Sequence, residues 1–285
     1  MNDSYKEVTV VVISHKSKKK VLHLIKKISV NFKIIVVENS QDKSIENELT
    51  DLHKNVNIIF SENNGYGSAI NLARTYIDTK YFFVLNPDMQ KINDKLINVF
   101  YDSAKELNDN FGALGPRFEN VNDKSHKQSN INEKYGQIES ISGSAMFFCT
   151  EIFDKNGRFD ENFFLYFEET DYCFRSNKNN FKIYQVNSQK VCHEIGTSVE
   201  TTSKEEVNKL KNLFTWHFIW SKFYFIKKNK GYIYSLIVFT PIMIRTLIKL
   251  LYCRILRDIQ REEHYKTRLD GLLSAIKGLK SIKRP

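Results

Sequence analysis

Three residues that could do chemistry, Asn86, Pro87 and Asp88, directly follow the apolar run YFFVL at residues 81–85. Proline cannot donate a hydrogen bond to a sheet and its φ angle is fixed, so it ends a strand and redirects the chain. An aspartate at that point is a hard oxygen ligand, suited to Mg²⁺ or Mn²⁺ bound to a diphosphate. The same residue types also dominate turns for local reasons, so turn formation alone would explain the motif.

A cluster of carboxylates lies further along the chain, where Glu168, Glu169 and Asp171 are set in the aromatic run FFLYFEETDYCFR at residues 163–175. Burial beside other carboxylates raises the pKa of a carboxylic acid toward the range of a useful general base. Acidic residues also favour the first turn of a helix, which is the structural alternative. His193, in KVCHEIGTS, is a third candidate, as a metal ligand or as an ordinary structural histidine.

The elements that must position these groups are indicated by four apolar runs, at residues 8–13, 33–38, 56–60 and 81–85, which alternate with helix-like segments. Continuous rather than alternating apolar strands predict a mostly parallel sheet covered by helices, the α/β class. The clearest helix lies at residues 66–77, where apolar residues recur at helical spacing.

In open α/β sheets ligands bind beyond the carboxyl ends of the strands, so the residues that follow each run are candidate ligand contacts. These candidates are Ser14, His15, Glu38, Asn39, Asn64, Gly65, Asn86 and Asp88. A carboxylate such as Glu38 can accept hydrogen bonds from a base or ribose, and glycines let the backbone approach a ligand. The set predicts a nucleotide site. The glycine patterns of dinucleotide-binding and P-loop sites are not present, which disfavours both.

The alternation of apolar runs and helix-like segments becomes irregular after Pro116. Residues 119–136 are polar enough to form a mobile surface loop.

Charge is unevenly distributed along the 285 residues. Residues 1–203 hold 25 Lys and Arg against 27 Asp and Glu, and residues 204–285 hold 18 against 6, so the formal charges are −2 and +12. We therefore expect a body at 1–203 and a basic helical segment at 204–285 that meets an anionic membrane or nucleic acid. Four scattered cysteines and an N-terminus without an apolar run predict reduced thiols and a cytoplasmic location.

The basic segment mixes aromatic residues with lysines and then carries an uncharged run of 14 residues, GYIYSLIVFTPIMI. That run is shorter than the roughly 18 residues expected of a membrane span. Aromatic residues beside lysines favour helices that lie in the interface of an anionic membrane, here the inner face of the cell membrane. The alternative is helices that pack on the body or on a second copy in a homo-oligomer.

In order and spacing these motifs resemble those of glycosyltransferase family 2, the inverting class with the GT-A fold, and in particular its rhamnosyltransferase-like branch. The resemblance covers about residues 8–200 and rests on VVVISHKS, IIVVENSQDKS, ENNGYGSAIN, LNPD, GRFDENFFLYFEETDYCFR and CHEIGTS. It implies a Rossmann-like GT-A sheet, a dTDP- or UDP-sugar donor, a glycan or lipid-linked glycan acceptor, and Mg²⁺ or Mn²⁺ as cofactor.

The resemblance also implies roles for single residues, and it implies a sugar or acceptor pocket at Gly143 and Ser144, in the run ISGSAMFF. Glu38 matches the acid that binds the base or ribose, Asp88 the last carboxylate of an Asp-x-Asp metal motif, and His193 an additional metal ligand. Glu169 matches the catalytic base, and its neighbours Glu168 and Asp171 are the alternatives for that role. Two positions depart from the commoner pattern: Asn86 replaces the first Asp of the metal motif, and Glu-Glu-x-Asp replaces Glu-Asp-x-Asp.

A function of a different class is noncatalytic binding of a nucleotide sugar or a nucleic acid, with the basic tail holding phosphates. The tail carries no recognisable zinc finger, RRM or helix-turn-helix motif, and nucleic-acid binding would leave the acidic aromatic run unexplained. We therefore expect an inverting glycosyltransferase with no nucleic-acid partner, and dTDP-rhamnose as its donor.

Overall fold

A computed structural model describes residues 3–119, 128–194, 198–200, 203–281 and 283–285. By its internal contacts the chain divides into two compact units. The sheet unit comprises Met1–Asp160 and Glu169–Glu200, and the helical unit comprises Glu161–Glu168 and Thr201–Pro285. The functional division at residue 203 stays a prediction.

The sheet unit contains nine strands within the described ranges. They are β1 (Val8–Ser14), β2 (Lys33–Glu38), β3 (Val56–Phe60), β4 (Tyr81–Leu85), β5 (Met89–Gln90), β6 (Ala113–Phe118), β7 (Tyr135–Ile138), β8 (Ala145–Cys149) and β9 (Ile183–His193). Their spatial order is β3-β2-β1-β4-β8-β6-β9-β5, and β7 pairs with β9.

The α/β class is confirmed, but the sheet is mixed rather than mostly parallel. Strands β3, β2, β1 and β4 are parallel, as the continuous apolar runs predict. Beyond β4 the neighbours are antiparallel, except for the parallel pair β6 and β9. Antiparallel neighbours need no crossover helix. The second half of the sheet therefore lacks the alternation of strands and helices by which the first half is recognised in the sequence.

Helices cover the sheet and lead into its strands. They are α1 (Ser4–Glu7), α2 (Lys18–Ile25), α3 (Ile45–Leu52), α4 (Tyr66–Arg74), α5 (Asp94–Glu106), α6 (Thr150–Lys155) and α7 (Glu168–Lys178). The predicted helix at 66–77 therefore ends three residues early, and the Tyr76 side chain is 54% exposed.

Alternate residues of β1 enter two different apolar clusters, one on each face of the sheet. Val10 and Val12 pack in the cluster that contains residues of α2, α3 and α5, whereas Val11 and Ile13 pack with residues of α4, α6 and α7. All seven residues of β1 are buried. Burial on both faces explains why this strand reads as an unbroken apolar run.

The polar loop predicted at 119–136 lies partly outside the described residues, at 120–127. Its remaining part is anchored to β9. Ser129 donates from its backbone nitrogen to Gln185 Oε1 over 2.8 Å, and Asn187 Nδ2 donates to the Asn130 carbonyl over 2.9 Å. Mobility is therefore not expected of residues 128–134.

The helical unit is built from α8 (Lys204–Lys230), α9 (Tyr232–Ile255) and α10 (Ile259–Ile276). Their common core contains Trp216, Ile219, Trp220, Phe223, Phe239, Leu272 and Ala275. Gly271 allows α10 to approach α8 closely, because a Cβ there would lie 2.7 Å from the Trp216 carbonyl oxygen.

Helix α9 corrects one argument made from the sequence. It is 24 residues long, and by length and composition it could cross a membrane. The uncharged run of 14 residues is only part of this helix, so its shortness does not exclude a span.

Candidate functional site

Strand order places a crevice beside β1. The chain moves outward from β1 to β2 and β3 and then returns to β4 on the other side of β1, with Val12 level with Leu85. Such a reversal of strand order is where open α/β sheets bind ligands. His15 follows β1 and Asn86 follows β4, so these two residues lie at the ends of neighbouring strands.

Glu38 ends β2 level with Ser14 and is almost completely buried, at 1% exposure. Its Oε2 accepts a hydrogen bond from Ser14 Oγ, and its Oε1 accepts from the Ser40 backbone nitrogen over 2.6 Å and from Ser40 Oγ. Ser14 lies opposite Glu38 in the sheet and Ser40 follows it by two residues, so each carboxylate oxygen is held by a neighbouring serine. The carboxylate is fixed in orientation, and a nucleotide would have to use its remaining lone pairs.

His15 and Asn39 lie at the same edge of the sheet. Burial, followed by the neighbouring charge of Lys16, lowers the pKa of His15, so the neutral imidazole is favoured. Within the described part of the chain His15 Nε2 is buried without a hydrogen-bond partner. Asn39 is buried, and its Oδ1 accepts from Ser61 Oγ over 2.7 Å. His15 therefore offers an unused polar atom, whereas Asn39 ties two strand ends together.

The turn before α4 uses a different asparagine from the one predicted. Asn64 is exposed, whereas Asn63 Nδ2 lies 3.4 Å from His15 Nδ1 and Asn63 Oδ1 accepts from the Gly65 nitrogen over 3.3 Å. Gly65 has a φ of 110°, in the region that favours glycine, which explains its place at the start of the helix. The sequence ENNGYG does not distinguish Asn63 from Asn64, because the backbone conformation of the turn decides which side chain contacts His15.

Tyr66 joins the end of β4 to the predicted sugar pocket. Its Oη lies 2.8 Å from Asn86 Oδ1 and 2.6 Å from the Gly143 carbonyl oxygen. The Asn86 nitrogen donates to the Ser144 carbonyl over 2.8 Å. The structure therefore brings Asn86, Gly143 and Ser144 together around a tyrosine that the sequence analysis did not select.

Buried Asp88 pairs with His193, whose side chain is 13% exposed. His193 Nε2 lies 3.2 Å from Asp88 Oδ1, and Ser198 Oγ donates to Asp88 Oδ2 over 2.5 Å. Pairing of Met89 with His193, between β5 and β9, sets this geometry. Burial has the largest single effect and opposes ionisation, but hydrogen bonds from His193 and Ser198 together outweigh it and lower the pKa of Asp88. Ser198 was also missed, although it lies in the quoted CHEIGTS run.

The donor set of this pair fits a hard divalent ion only in part. It supplies one ionised carboxylate and one imidazole, and no group of three or more His, Cys, Asp and Glu suited to a metal occurs in the described ranges. Mg²⁺ commonly binds through one or two carboxylates together with substrate phosphates. The pair therefore suits an ion that a diphosphate helps to hold.

Glu169 keeps part of its surface exposed in the first turn of α7. Burial of its carboxyl raises the pKa of Glu169 above its ordinary value. A Cβ added to Gly143 would lie 3.7 Å from Glu169 Cγ and 3.6 Å from a ring carbon of Tyr66. Glu169 thus lies beside the group formed by Tyr66, Asn86 and Gly143.

The two other carboxylates of the cluster have different surroundings. Glu168 is buried at the first position of α7 and belongs to the helical unit. Asp171 is fully buried and accepts from Arg175 Nε over 2.9 Å, while Arg175 also donates to the carbonyl oxygens of Asn156 and Arg158. This geometry favours a positioning role for Asp171 rather than proton removal.

Comparison with known proteins identifies the family of this chain. The sequence profile of the family described as Glycosyl transferase family 2 matches residues 9–197. The low-salt glycan biosynthesis hexosyltransferase Agl10 of Haloferax volcanii is 24% identical over 202 residues, which are 63% of this chain and 64% of that protein. The match thus spans less than two thirds of the relative's length.

Solved structures share the fold at low identity. S. aureus TarS 1-349 in complex with UDP-GlcNAc gives a TM-score of 0.53 at 15% identity, over 96% of this chain and 92% of TarS. Mannosyltransferase PcManGT from Pyrobaculum calidifontis, in complex with GDP-Man and Mn²⁺, gives 0.58 at 12% identity, over 95% of this chain and 87% of its own. These similarities identify the GT-A fold. With the profile match extending over most of the sheet unit, the chain belongs to glycosyl transferase family 2.

Proposed function

We propose that this protein transfers a sugar from a nucleotide diphosphate donor to a hydroxyl group of an acceptor, with inversion at the anomeric carbon. The observation that carries the proposal is the position of Glu169. Its carboxyl, with a raised pKa, lies beside Gly143, which Tyr66 links to Asn86 at the end of β4. This position supports the proposed role of Glu169 as the base beside the crevice where a donor would bind.

In the proposed reaction ionised Glu169 accepts the proton of the acceptor hydroxyl. The hydroxyl oxygen then bonds to the anomeric carbon while the bond from that carbon to the diphosphate oxygen breaks, so no covalent enzyme intermediate forms. A raised pKa suits this role, because a carboxylate with a higher pKa is a stronger base. Asp171 and Arg175 would hold the helix that carries the base.

Asp88 and His193 would hold Mg²⁺ or Mn²⁺, with oxygens of the donor diphosphate as the remaining ligands. When bound, the ion would neutralise charge that grows on the departing nucleotide diphosphate. The Mn²⁺ in PcManGT, which shares the fold, supports this proposal. Ser198 would keep the Asp88 carboxylate oriented through its hydrogen bond.

The finer proposal concerns the donor and the acceptor. dTDP-rhamnose is our preferred donor, on the resemblance of LNPD to the rhamnosyltransferase-like branch. Related structures hold UDP-GlcNAc and GDP-Man, so those donors belong in any test. We further propose a lipid-linked or cell-surface glycan acceptor, reached from the cytoplasmic face of the membrane, on the basis of the basic helical unit.

Release of nucleotide diphosphate from a panel of sugar nucleotides tests this function. The panel comprises dTDP-rhamnose, UDP-galactose, UDP-galactofuranose, UDP-glucose, UDP-N-acetylglucosamine and GDP-mannose, each with Mg²⁺ or Mn²⁺. We expect slow release from dTDP-rhamnose in the absence of acceptor. Faster release from another member would correct the donor, and nucleotide binding without any release would favour a noncatalytic binding protein.

A further inference from the structure

One side of α9 carries an exposed apolar stripe. Its members are separated by three, four or seven residues and are each at least half exposed; they are Ile233, Ile237, Ile244, Ile248, Leu251 and Ile255. We call these six residues the α9 stripe. At 1.5 Å per residue a helix of this length extends about 36 Å. Contiguous exposed apolar surface on this scale marks an interaction site rather than ordinary surface.

The opposite side of α9 is occupied by its own unit. Phe239 and Leu250 are buried there, and the Phe239 ring lies 5.2 Å from that of Phe223 on α8. Arg254 Nε donates to Glu262 on α10 over 2.9 Å. The helix is therefore already packed along its length, and the α9 stripe is the side left for an external partner.

The charge around the stripe selects the class of partner. Residues 231–257 contain no Asp or Glu. Arg245 and Lys249 line a shallow groove of about 580 Å³ whose other walls are Pro241, Ile244 and Ile248. By helical spacing these two cations flank the stripe on one side. Apolar surface bordered by cations matches acyl chains bordered by anionic headgroups.

A second copy of this chain would be a poor occupant of the same surface. An isologous contact between two copies would bring Arg245 and Lys249 of each copy toward one another, with no acidic residue in 231–257 to compensate them. A membrane of anionic phospholipid offers acyl chains to the apolar stripe and negatively charged headgroups to the flanking cations.

The packing of α9 also decides between lying in the membrane and crossing it. Helices α8 and α10 run beside it and expose charged side chains such as Lys211, Glu263 and Lys266. Insertion of α9 across the bilayer would either carry these charges into hydrocarbon or strip α9 from its core contacts. Lying in the interface requires neither change.

We propose that the α9 stripe docks on an anionic phospholipid bilayer, with α9 lying in the plane of the membrane. The inference concerns location and does not depend on the sugar-transfer reaction. It names the surface and the orientation by which the protein would reach a membrane-bound acceptor.

Co-sedimentation with phosphatidylcholine vesicles, with and without phosphatidylglycerol, tests the surface on the full chain. The double variant Ile237→Glu/Ile248→Glu should lower partitioning onto phosphatidylglycerol vesicles by about tenfold or more. Arg245→Gln/Lys249→Gln should lower it by about 25-fold at low salt, which is about fivefold per cation. Val30→Glu, at a side chain 50% exposed in the sheet unit, is the matched control and should bind as wild type does. Wild-type partitioning by all variants, or no wild-type binding, would overturn the proposal.

Tryptophan quenching by brominated lipids tests the orientation. Ile233→Trp, Ile244→Trp and Ile255→Trp report both ends and the middle of α9, after subtraction of the wild-type signal of buried Trp216 and Trp220. A helix in the membrane plane gives three similar, shallow depths. A crossing helix gives a deep value at residue 244 and shallow values at both ends, and that result would refute the in-plane orientation.

Discussion

Glu169 and Asp88 are both carboxylic acids of the sheet unit, yet their surroundings shift their pKa values in opposite directions. Burial raises the pKa of Glu169. Asp88 is also buried, but hydrogen bonds from His193 and Ser198 outweigh the burial and lower its pKa. Paired groups whose pKa values diverge are typical of a site where one group moves a proton and another keeps its charge.

The raised pKa of Glu169 predicts a cost in stability near neutral pH. The folded protein holds this proton more tightly than the unfolded chain, so the stabilising contribution exists below about pH 4, the ordinary pKa, and is lost as the pH rises through the folded pKa. Glu169→Gln should therefore melt at a higher temperature than wild type at pH 7. The difference should close toward pH 4. Thermal unfolding across this range checks the prediction, and an equal or lower melting temperature at pH 7 would contradict it.

The Asp88 carboxylate should govern metal-dependent nucleotide binding. Asp88→Asn keeps the shape of the side chain but removes its charge, so we expect affinity for the nucleotide diphosphate in Mg²⁺ or Mn²⁺ to fall by about tenfold or more. His193→Ala should produce a smaller loss of the same kind. Calorimetry with metal or with EDTA is the measurement. Wild-type affinity that ignores EDTA would show that the metal assignment is wrong.

Among single residues, those at strand ends were predictable and their partners were not. Glu38, Asn86 and Asp88 follow apolar runs directly, so their positions follow from strand order. Tyr66 and Ser198 act through contacts to residues 20 and 110 positions away in the sequence, which no local pattern encodes. Ser40 could have been found, because a serine two residues after Glu38 is placed for a local hydrogen bond.

At the scale of elements, the entry into α7 is held in an unusual backbone conformation. Tyr166 and Phe167 both have positive φ, at 67° and 69°, immediately before Glu168. Bulky residues rarely adopt this region, so surrounding contacts must maintain it. The ring of Phe218 on α8 lies 5.6 Å from each of their rings. We interpret these contacts as a device that fixes the backbone leading to Glu169.

Phe218→Ala should therefore weaken the proposed reaction without weakening donor binding. Loss of two aromatic contacts of about 0.5–1.5 kcal/mol each should lower stability and loosen the segment before the base. We expect kcat to fall several-fold with the donor KM unchanged. Tyr234→Ala is the control, because the side chains of Phe218 and Tyr234 are each 47% exposed. Equal kinetics for the two variants would argue against a positioning role for this contact.

The first half of the sheet was predictable from the sequence and the second half was not. Strands β1, β2 and β4 are largely buried, and the edge strand β3 is a partly buried apolar run. Helices lie between the four strands in sequence, so hydrophobicity alone reveals them. Strand β9 pairs with β5, β6 and β7, which lie far from it in sequence. The register of such pairs depends on tertiary packing.

At the scale of the whole molecule, the acidic aromatic run is divided between two units. Residues 161–168 belong to the helical unit, where the Phe163 ring contacts Tyr224 edge to face and the Phe164 ring lies against His217. In the sequence this segment is continuous with Glu169, so its separate packing is not visible there. Its partners lie about 50 to 60 residues away, beyond the reach of local periodicity.

This division predicts that the protein cannot be shortened cleanly after Ser203. Removal of α8, α9 and α10 would expose Phe163 and Phe164, which are at most 5% exposed in the full chain. We expect the shortened protein to aggregate or to unfold at a lower temperature than the full chain under the same conditions. Size-exclusion chromatography and thermal unfolding measure this. A soluble monomer with unchanged nucleotide affinity would show that residues 161–168 do not need the helices.

The most direct test of the proposed mechanism compares Glu169→Gln with wild type on the donor that the nucleotide-release panel identifies. The amide preserves the shape of the side chain but cannot accept the proton, so transfer should fall by about 10²-fold or more while donor affinity stays within about twofold. Asp171→Asn, in which the buried contact to Arg175 is changed instead, separates loss of the base from loss of its support. Turnover of Glu169→Gln above about a tenth of the wild-type value, with donor binding intact, would contradict the assignment of Glu169 as the base.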